Sequence, residues 1–351
     1  MRSALWCALL CGAIQGLAAQ DQQVTFEETP PVSISGFAVA AAQYDRAPRT
    51  NTLTAGKVAL SLFKPVGDAY FFGQLTTALD AGTSSTEIDN LIVSWTPHGA
   101  DRWTLAVGRF DAPVGFERDD EPLNFLPTNS FTFTYARPVK LTGAIVRFTA
   151  SPRLELDAGV ANGWEETVDN NRGKTGLLRA QWVPVDGLTL GLSGLYGPER
   201  DSTDAHQRAF LGPDLTLERG PLILGAEASL GREQNPPGPA LSWSGAAVTA
   251  FWKVGHSLGL AARYDRVSDP DGLVTGVAQT LESVTVGPMW FYRSAQEGIF
   301  SNIENTTFHL PQIALRTAVR FDHSTQPFFS NSTGGLSRDD TRAVIELLYL
   351  F

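Results

Sequence analysis

The sequence has 351 residues, 43% of them hydrophobic, with a mean hydropathy of −0.08 and a formal net charge of −10. That length suits one large β-domain or two average domains, and the acidic balance argues against nucleic acid as a partner. No stretch beyond residue 20 reaches the ~18 consecutive apolar residues of a membrane helix, so a membrane protein of this composition has to be a β-barrel, whose alternating strands keep mean hydropathy near neutral.

Residues 1–20 read as a signal peptide. Arg2 supplies the positive start, Ala4 to Ile14 the apolar centre, and Gly16, Ala18 and Ala19 the small residues before a cleavage point near Ala18–Asp21. Both cysteines, Cys7 and Cys11, fall inside this segment, so the chain after cleavage has no thiol and no disulfide. The bulky Leu9 and Leu10 before Cys11 argue against lipid attachment there. Residues 21–31 then form a short periplasmic N-terminal segment, and 32–351 a single domain, with no Pro/Ser-rich linker or composition shift to divide it.

From there the chain alternates with period 2. Leu91, Val93 and Trp95 alternate with Asn90, Ile92 and Ser94, and Trp103, Leu105 and Val107 with Arg102, Thr104 and Ala106. The pattern returns at Leu154–Val160, Leu222–Ser229 and Gln312–Phe321. Short turns are expected at Pro65–Asp68, Pro97–Asp101, Ser151–Pro152, Pro184–Asp186, Gly220–Pro221 and Val254–His256. Longer polar loops alternate with them, at 44–52, 111–138, 162–173, 197–204, 231–240 and 267–277. Tight turns on one side and longer loops on the other describe an all-β fold, a transmembrane antiparallel up-and-down β-barrel of about 16 strands with both termini periplasmic. Residues 294–308 are too long for the short turn due there and leave the strand pairing open at that point.

The chain ends in a strand. Phe351, Tyr349, Leu347, Ile345 and Ala343 share one face, while Glu346 and Arg342 share the other. Terminal aromatics at this spacing fit the interfacial girdle of an outer-membrane barrel. They resemble the terminal signal that the barrel-assembly machinery reads in that class, so the strand ending in Phe351 is the expected contact with that machinery.

The stretch 107–117 reads Val-Gly-Arg-Phe-Asp-Ala-Pro-Val-Gly-Phe-Glu. Further on come Arg137-Pro138, Thr142-Gly143 and Asn162-Gly163-Trp164 followed by Asp169-Asn170-Asn171, and near the end Arg320-Phe321-Asp322-His323-Ser324 before Phe328 and Phe329. This resembles the OmpL-like β-barrel porin family over most of the chain. The resemblance implies a pore in the outer membrane of a Gram-negative bacterium, embedded in outer-membrane lipid and passing small hydrophilic solutes or ions by passive diffusion. It names no solute. A homo-oligomer is compatible with it, although no distinct flat apolar flank marks a contact face.

Charges facing lipid at mid-depth cost several kcal/mol, roughly 2–4 for Arg or Lys, so parity sends the strand charges inward. Candidate lumen-lining residues are Lys57, Arg179, Arg263, Arg316, Arg320 and Arg342, with Glu155, Asp157, Glu227, Asp265 and Glu346 beside them. Each could instead serve only to pair with a neighbour and brace the wall. The longest loop, 111–138, carries Glu117, Arg118, Asp119, Asp120 and Glu121 among several phenylalanines. A loop of this length inside a compact domain is usually functional or disordered. We expect it to fold into the barrel and set its acids against the arginine-rich wall as a constriction. An external loop capping the rim is the alternative.

No cofactor or metal site is expected. The histidines 98, 206, 256, 309 and 323 are scattered, without an HExxH pair. Asp169-Asn170-Asn171 with Glu165 and Glu166 supplies oxygen ligands but lacks EF-hand spacing. Asp322-His323-Ser324 invites a lipid-hydrolase reading, yet neighbours in a strand point to opposite faces. A non-conducting structural or adhesin barrel is the remaining alternative, and strand number discriminates it, since small barrels are filled by their own side chains.

Overall fold

The computed structural model describes residues 31–54, 56–80, 83–294 and 311–351. The expected leader at 1–20, the segment that follows it to residue 30 and the interval 295–310 lie outside these. The alternating segments form one closed antiparallel sheet of sixteen strands. In chain order they are β1 (Ser33–Asp45), β2 (Thr50–Thr54 continued by Lys57–Val66), β3 (Ala69–Asp80), β4 (Thr83–Trp95), β5 (Trp103–Asp111), β6 (Lys140–Ser151), β7 (Leu154–Ala161) and β8 (Thr175–Val185). The second half is β9 (Leu188–Arg200), β10 (Thr203–Arg219), β11 (Leu222–Glu233), β12 (Leu241–Lys253), β13 (Leu258–Asp269), β14 (Gln279–Ser294), β15 (Pro311–Ser324) and β16 (Asp339–Leu350). Both parts of β2 pair with β1 and are separated at Gly56, whose φ of 67° is the left-handed backbone that glycine adopts without a Cβ clash.

Every strand pairs with its sequence neighbours, and β1 pairs with β16 from Phe37↔Leu350 to Asp45↔Arg342. Phe351 completes the seam by exchanging two backbone hydrogen bonds with Gly36, at 2.9 and 3.0 Å. Closure leaves no sheet edge, which is the condition for a sheet to sit in hydrocarbon. No helix among the described residues is long and apolar enough to cross a membrane.

The beginning of β1 and the end of β16 lie on one rim, shared with the turns 67–68, 96–102, 152–153, 186–187, 220–221 and 254–257. The opposite rim carries 112–139, 162–174, 234–240, 270–278 and 325–338. Two of the expected long loops shrink. The strands run on to leave only 46–49 and 201–202, where Arg49 and Ser202 adopt φ of 56° and 62° to close tight hairpins.

The pleat sorts the side chains. Outward residues such as Leu60, Val93, Val107, Leu178, Val248, Val286 and Leu347 are exposed and apolar. Aromatics gather towards the turn rim (Trp95, Trp103, Trp182, Trp252, Trp290, Tyr349, Phe351), and Tyr44, Tyr196 and Phe321 stand nearer the other rim. An apolar band between aromatic girdles matches a bilayer and its interfaces. Inward residues are polar, charged or small. On β15, buried Arg316 and Arg320 alternate with exposed Leu315 and Val319. Val248→Arg is therefore expected to lower stability by about 2–4 kcal/mol in urea unfolding from lipid vesicles. An unchanged midpoint would place that face away from lipid.

Candidate functional site: the loop inside the barrel

Residues 112–139 do not cap the rim; they fold into the lumen. Ala112 and Val114 pack on an apolar inner patch of Phe110, Leu141, Leu177, Leu195 and Phe210. The Pro113 carbonyl accepts from Arg179 Nη1 (3.2 Å) and Ser193 Oγ (2.7 Å). The backbone N–H groups of Phe116 and Glu117 donate to the Glu227 carboxylate. The Phe116 ring occupies the space above Gly225, where a Cβ would meet ring carbons at 2.3 Å. A glycine on the inner wall thus provides the seat for a loop side chain.

The next segment leaves this wall and returns. Asp119 reaches Lys140 (3.1 Å), Asp120 accepts from Gln74 Nε2 (3.1 Å), and Glu121 reaches Lys57 (3.3 Å). Asn124 closes the excursion by exchanging hydrogen bonds with the Arg118 backbone, at 3.0 and 2.7 Å. Pro122, in the first turn of the short helix Glu121–Leu123, fits a position that needs no N–H donor. Arg316 Nη1 then takes the carbonyls of Glu121 and Asn124, both at 2.6 Å, and Phe125 stacks on Phe251 at 4.3 Å. Arg263 Nη1 donates both to Glu117 Oε1 (3.0 Å) and to the Thr128 carbonyl (2.5 Å), so the two ends of the excursion meet at one guanidinium. Arg320 holds the Asn129 carbonyl and Asp265 accepts from Phe131 N–H. A single helical turn, Thr132–Ala136, ends where the Trp243 indole donates to the Ala136 carbonyl at 3.0 Å.

The wall arginines expected to line the lumen do point into it, and each has an acidic partner. Arg179 pairs with Asp214, Arg263 with Asp265 and Glu117, Arg316 with Glu346, Arg320 with Asp322, and Arg342 with Asp45. A buried guanidinium left alone would carry a large desolvation penalty, so one edge takes a carboxylate. Its remaining N–H groups are free to hold loop carbonyls. Of the loop acids, only Glu117 meets an arginine. Asp119 and Glu121 meet lysines, and Asp120 meets an amide.

Two participants were not legible in the strand pattern. Lys140, the first residue of β6, contacts Asp89, Asp111 and Asp119. Asp89 sits at an irregularity in the β3–β4 register, where Asn90 pairs with Gln74 and Ile88 with Leu75. The extra residue breaks period-2 parity, and strict alternation then misplaces the side chain.

Water access divides the lumen. Arg263, Arg316 and Arg320 keep 4% side-chain exposure or less, whereas Lys57, Asp111, Asp119, Glu121, Arg147 and Glu155 keep 18–40%. At the loop rim, a small hairpin (Phe329–Ser330 with Leu336–Ser337) sets Phe329 on Phe131 and Phe328 on Tyr135, both at 6.3 Å. At the depth of the inserted loop the more exposed charges thus line the gap between loop residues 119–121 and the inner wall of β2 to β7, while Arg342 and Arg200, 31% and 36% exposed, stand nearer the loop rim.

The remaining candidates do not converge. His323 faces outward and pairs with Asp339 at 2.7 Å, while Ser324 is buried inward against Gln279. Asp169 pairs with Lys174, and Glu165 accepts from the backbone of Val139 and Lys140. Among the described residues no group of three or more His, Cys, Asp or Glu could hold a metal ion.

The loop seat gives a direct test. Gly225→Val should displace Phe116, cost about 1–3 kcal/mol in urea unfolding and open residues 112–139 to protease. An unchanged cleavage pattern would mean that the loop is not seated there.

Comparison with known proteins agrees with the barrel fold. No curated protein sequence matches the chain. Similar solved structures include the in-vitro folded OmpT of Vibrio cholerae, described as a trimer form (12% identity, 92% of this chain and 99% of that chain, TM-score 0.63). Also similar are an anion-selective porin from Comamonas acidovorans (10% identity, 92% and 99%, TM-score 0.63) and the outer membrane channel DcaP of Acinetobacter baumannii (13% identity, 91% and 97%, TM-score 0.63). At these identities the likeness shows the fold. Residues 35–351 match the family described as "Putative beta-barrel porin-2, OmpL-like", and with that span the chain belongs to the OmpL-like porin-2 family.

Proposed function

We propose that the protein is an outer-membrane porin, a water-filled channel for passive diffusion of small hydrophilic solutes or ions, and not an enzyme. The observation that carries this reading is the divided lumen. Barrels of about sixteen strands are wide enough for an aqueous channel, and here the inserted loop seals one side while charged, water-accessible side chains line the other. Lumen charges of this kind are what a polar solute needs in exchange for its hydration. The family supports the same reading. The hydrolase alternative loses its geometry because Ser324 and His323 lie on opposite faces of the wall.

The proposed partners follow. The apolar band meets outer-membrane lipid, and the strand ending in Phe351 is the segment that the barrel-assembly machinery would engage. The expected leader at 1–20 would direct export and be cleaved near Ala18–Asp21. A homo-oligomer is proposed by analogy with the trimeric form among the similar structures.

A structural, non-conducting barrel is the second reading, and the density of loop anchors favours it. Planar-bilayer recording separates the two. The purified protein is expected to give discrete conductance steps. Excising residues 118–126, whose flanks both meet Arg263, should raise the step size about twofold or more without unfolding the barrel. Silence from the full chain with steps only after excision would establish the structural barrel.

A further inference from the structure

We propose that the constriction selects cations over anions, with Asp111, Asp119 and Glu121 setting the preference. This deepens the pore reading above and rests on it. Selectivity in such a gap depends on charges that face water, not on the total charge of the wall, because paired and buried charges cancel at the distance of a passing ion.

The sealed side is close to balanced. Arg137, Arg179, Arg263, Arg316 and Arg320 are paired with Glu227, Asp214, Asp265, Glu117, Glu346 and Asp322. Five guanidinium groups thus stand against six carboxylates there, and Arg118, half-buried within electrostatic reach of Arg179, Arg137, Asp214 and Asp111, lies between this side and the gap. The arginine count that suggests a positive lumen is thus neutralised where it stands.

The open side is not balanced. Lys57 and Lys140 face Asp89, Asp111, Asp119, Asp120 and Glu121. Leaving out the two buried acids, Asp89 and Asp120, three partly exposed carboxylates still stand against two lysines. Lys140 is itself 4% exposed and is screened from the gap by its own ring of carboxylates, with Asp89 at 2.8 Å and Asp119 at 3.1 Å. Below it, Arg147 stands against both Glu155 and Asp157. An independent sign of surplus acceptors is Asp89 Oδ2, which is buried and has no hydrogen-bond partner. The acids lie on both sides of the path, Asp111 on the wall and Asp119 and Glu121 on the loop. A cation in the gap therefore meets carboxylate oxygens from either side, whereas the exposed cations an anion would meet, Lys57 and Arg147, are already held, by Glu121 at 3.3 Å and by Glu155 and Asp157 at 2.9 and 3.0 Å.

The test is the reversal potential of the full chain in a planar bilayer under a tenfold KCl gradient. Potassium is expected to permeate about threefold or more over chloride. The double variant Asp119→Asn, Glu121→Gln should bring the ratio at least halfway to one, with Asp111→Asn as a single-site check if the double variant folds poorly. Asp186→Asn, on the turn rim and 95% exposed, should leave it unchanged. A wild-type ratio of one, a preference for chloride, or a ratio unmoved by the double variant overturns the inference while leaving a pore. Absence of any conductance steps overturns the pore reading itself and this inference with it.

Discussion

An arginine buried in a barrel wall has to be neutralised and has more N–H groups than one carboxylate can use. The functional geometry of this protein depends on that surplus. Arg179, Arg263, Arg316 and Arg320 each spend one edge on an acid and offer the rest to the backbone of residues 113–129. The loop enters the lumen because its carbonyls are what these guanidinium groups lack. Remove that demand and a segment of this length would sit at the rim, where water satisfies it equally well.

In the proposed channel the same clamp sets where solute would pass. It draws the loop against β8 to β15, leaves Asp119, Asp120 and Glu121 reaching across to β2, β3 and β6, and confines water to the gap beyond them. Aromatic packing of Phe328 and Phe329 over the loop closes the sealed side from above. Wall, loop and rim hairpin thus act as one unit. The acids on the loop owe their position to arginines on the far side of the barrel.

Much of this is written locally. Alternation along Gln312–Phe321 is enough to send Arg316 and Arg320 inward, because a charge facing hydrocarbon is excluded on energy alone. The terminal row Ile345, Leu347, Tyr349, Phe351 and the tight turns are equally local. The contacts that define the constriction are not. Arg316 meets the Glu121 carbonyl across 195 residues, and Arg263 meets Glu117 across 146. A wall arginine in the sequence looks the same whether it faces water or a loop carbonyl. Asp89 escapes parity because of the register irregularity beside it, and Lys140 sits at the seam between loop and strand. The inner-face residues Gly225 and Gly245 are the local trace of the loop's seat, since a Cβ there would meet the Phe116 ring and Ala136 Cβ.

The central claim is that water passes on the acidic face of the inserted loop and not behind it. Cysteine accessibility during single-channel recording tests this most directly, in a chain lacking Cys7 and Cys11. A water-soluble thiol reagent acting on Glu121→Cys should reduce the current in discrete steps, whereas Ser193→Cys, covered by Pro113, should stay silent. Full modification at 121 with no change in current, or block at 193, would contradict the account.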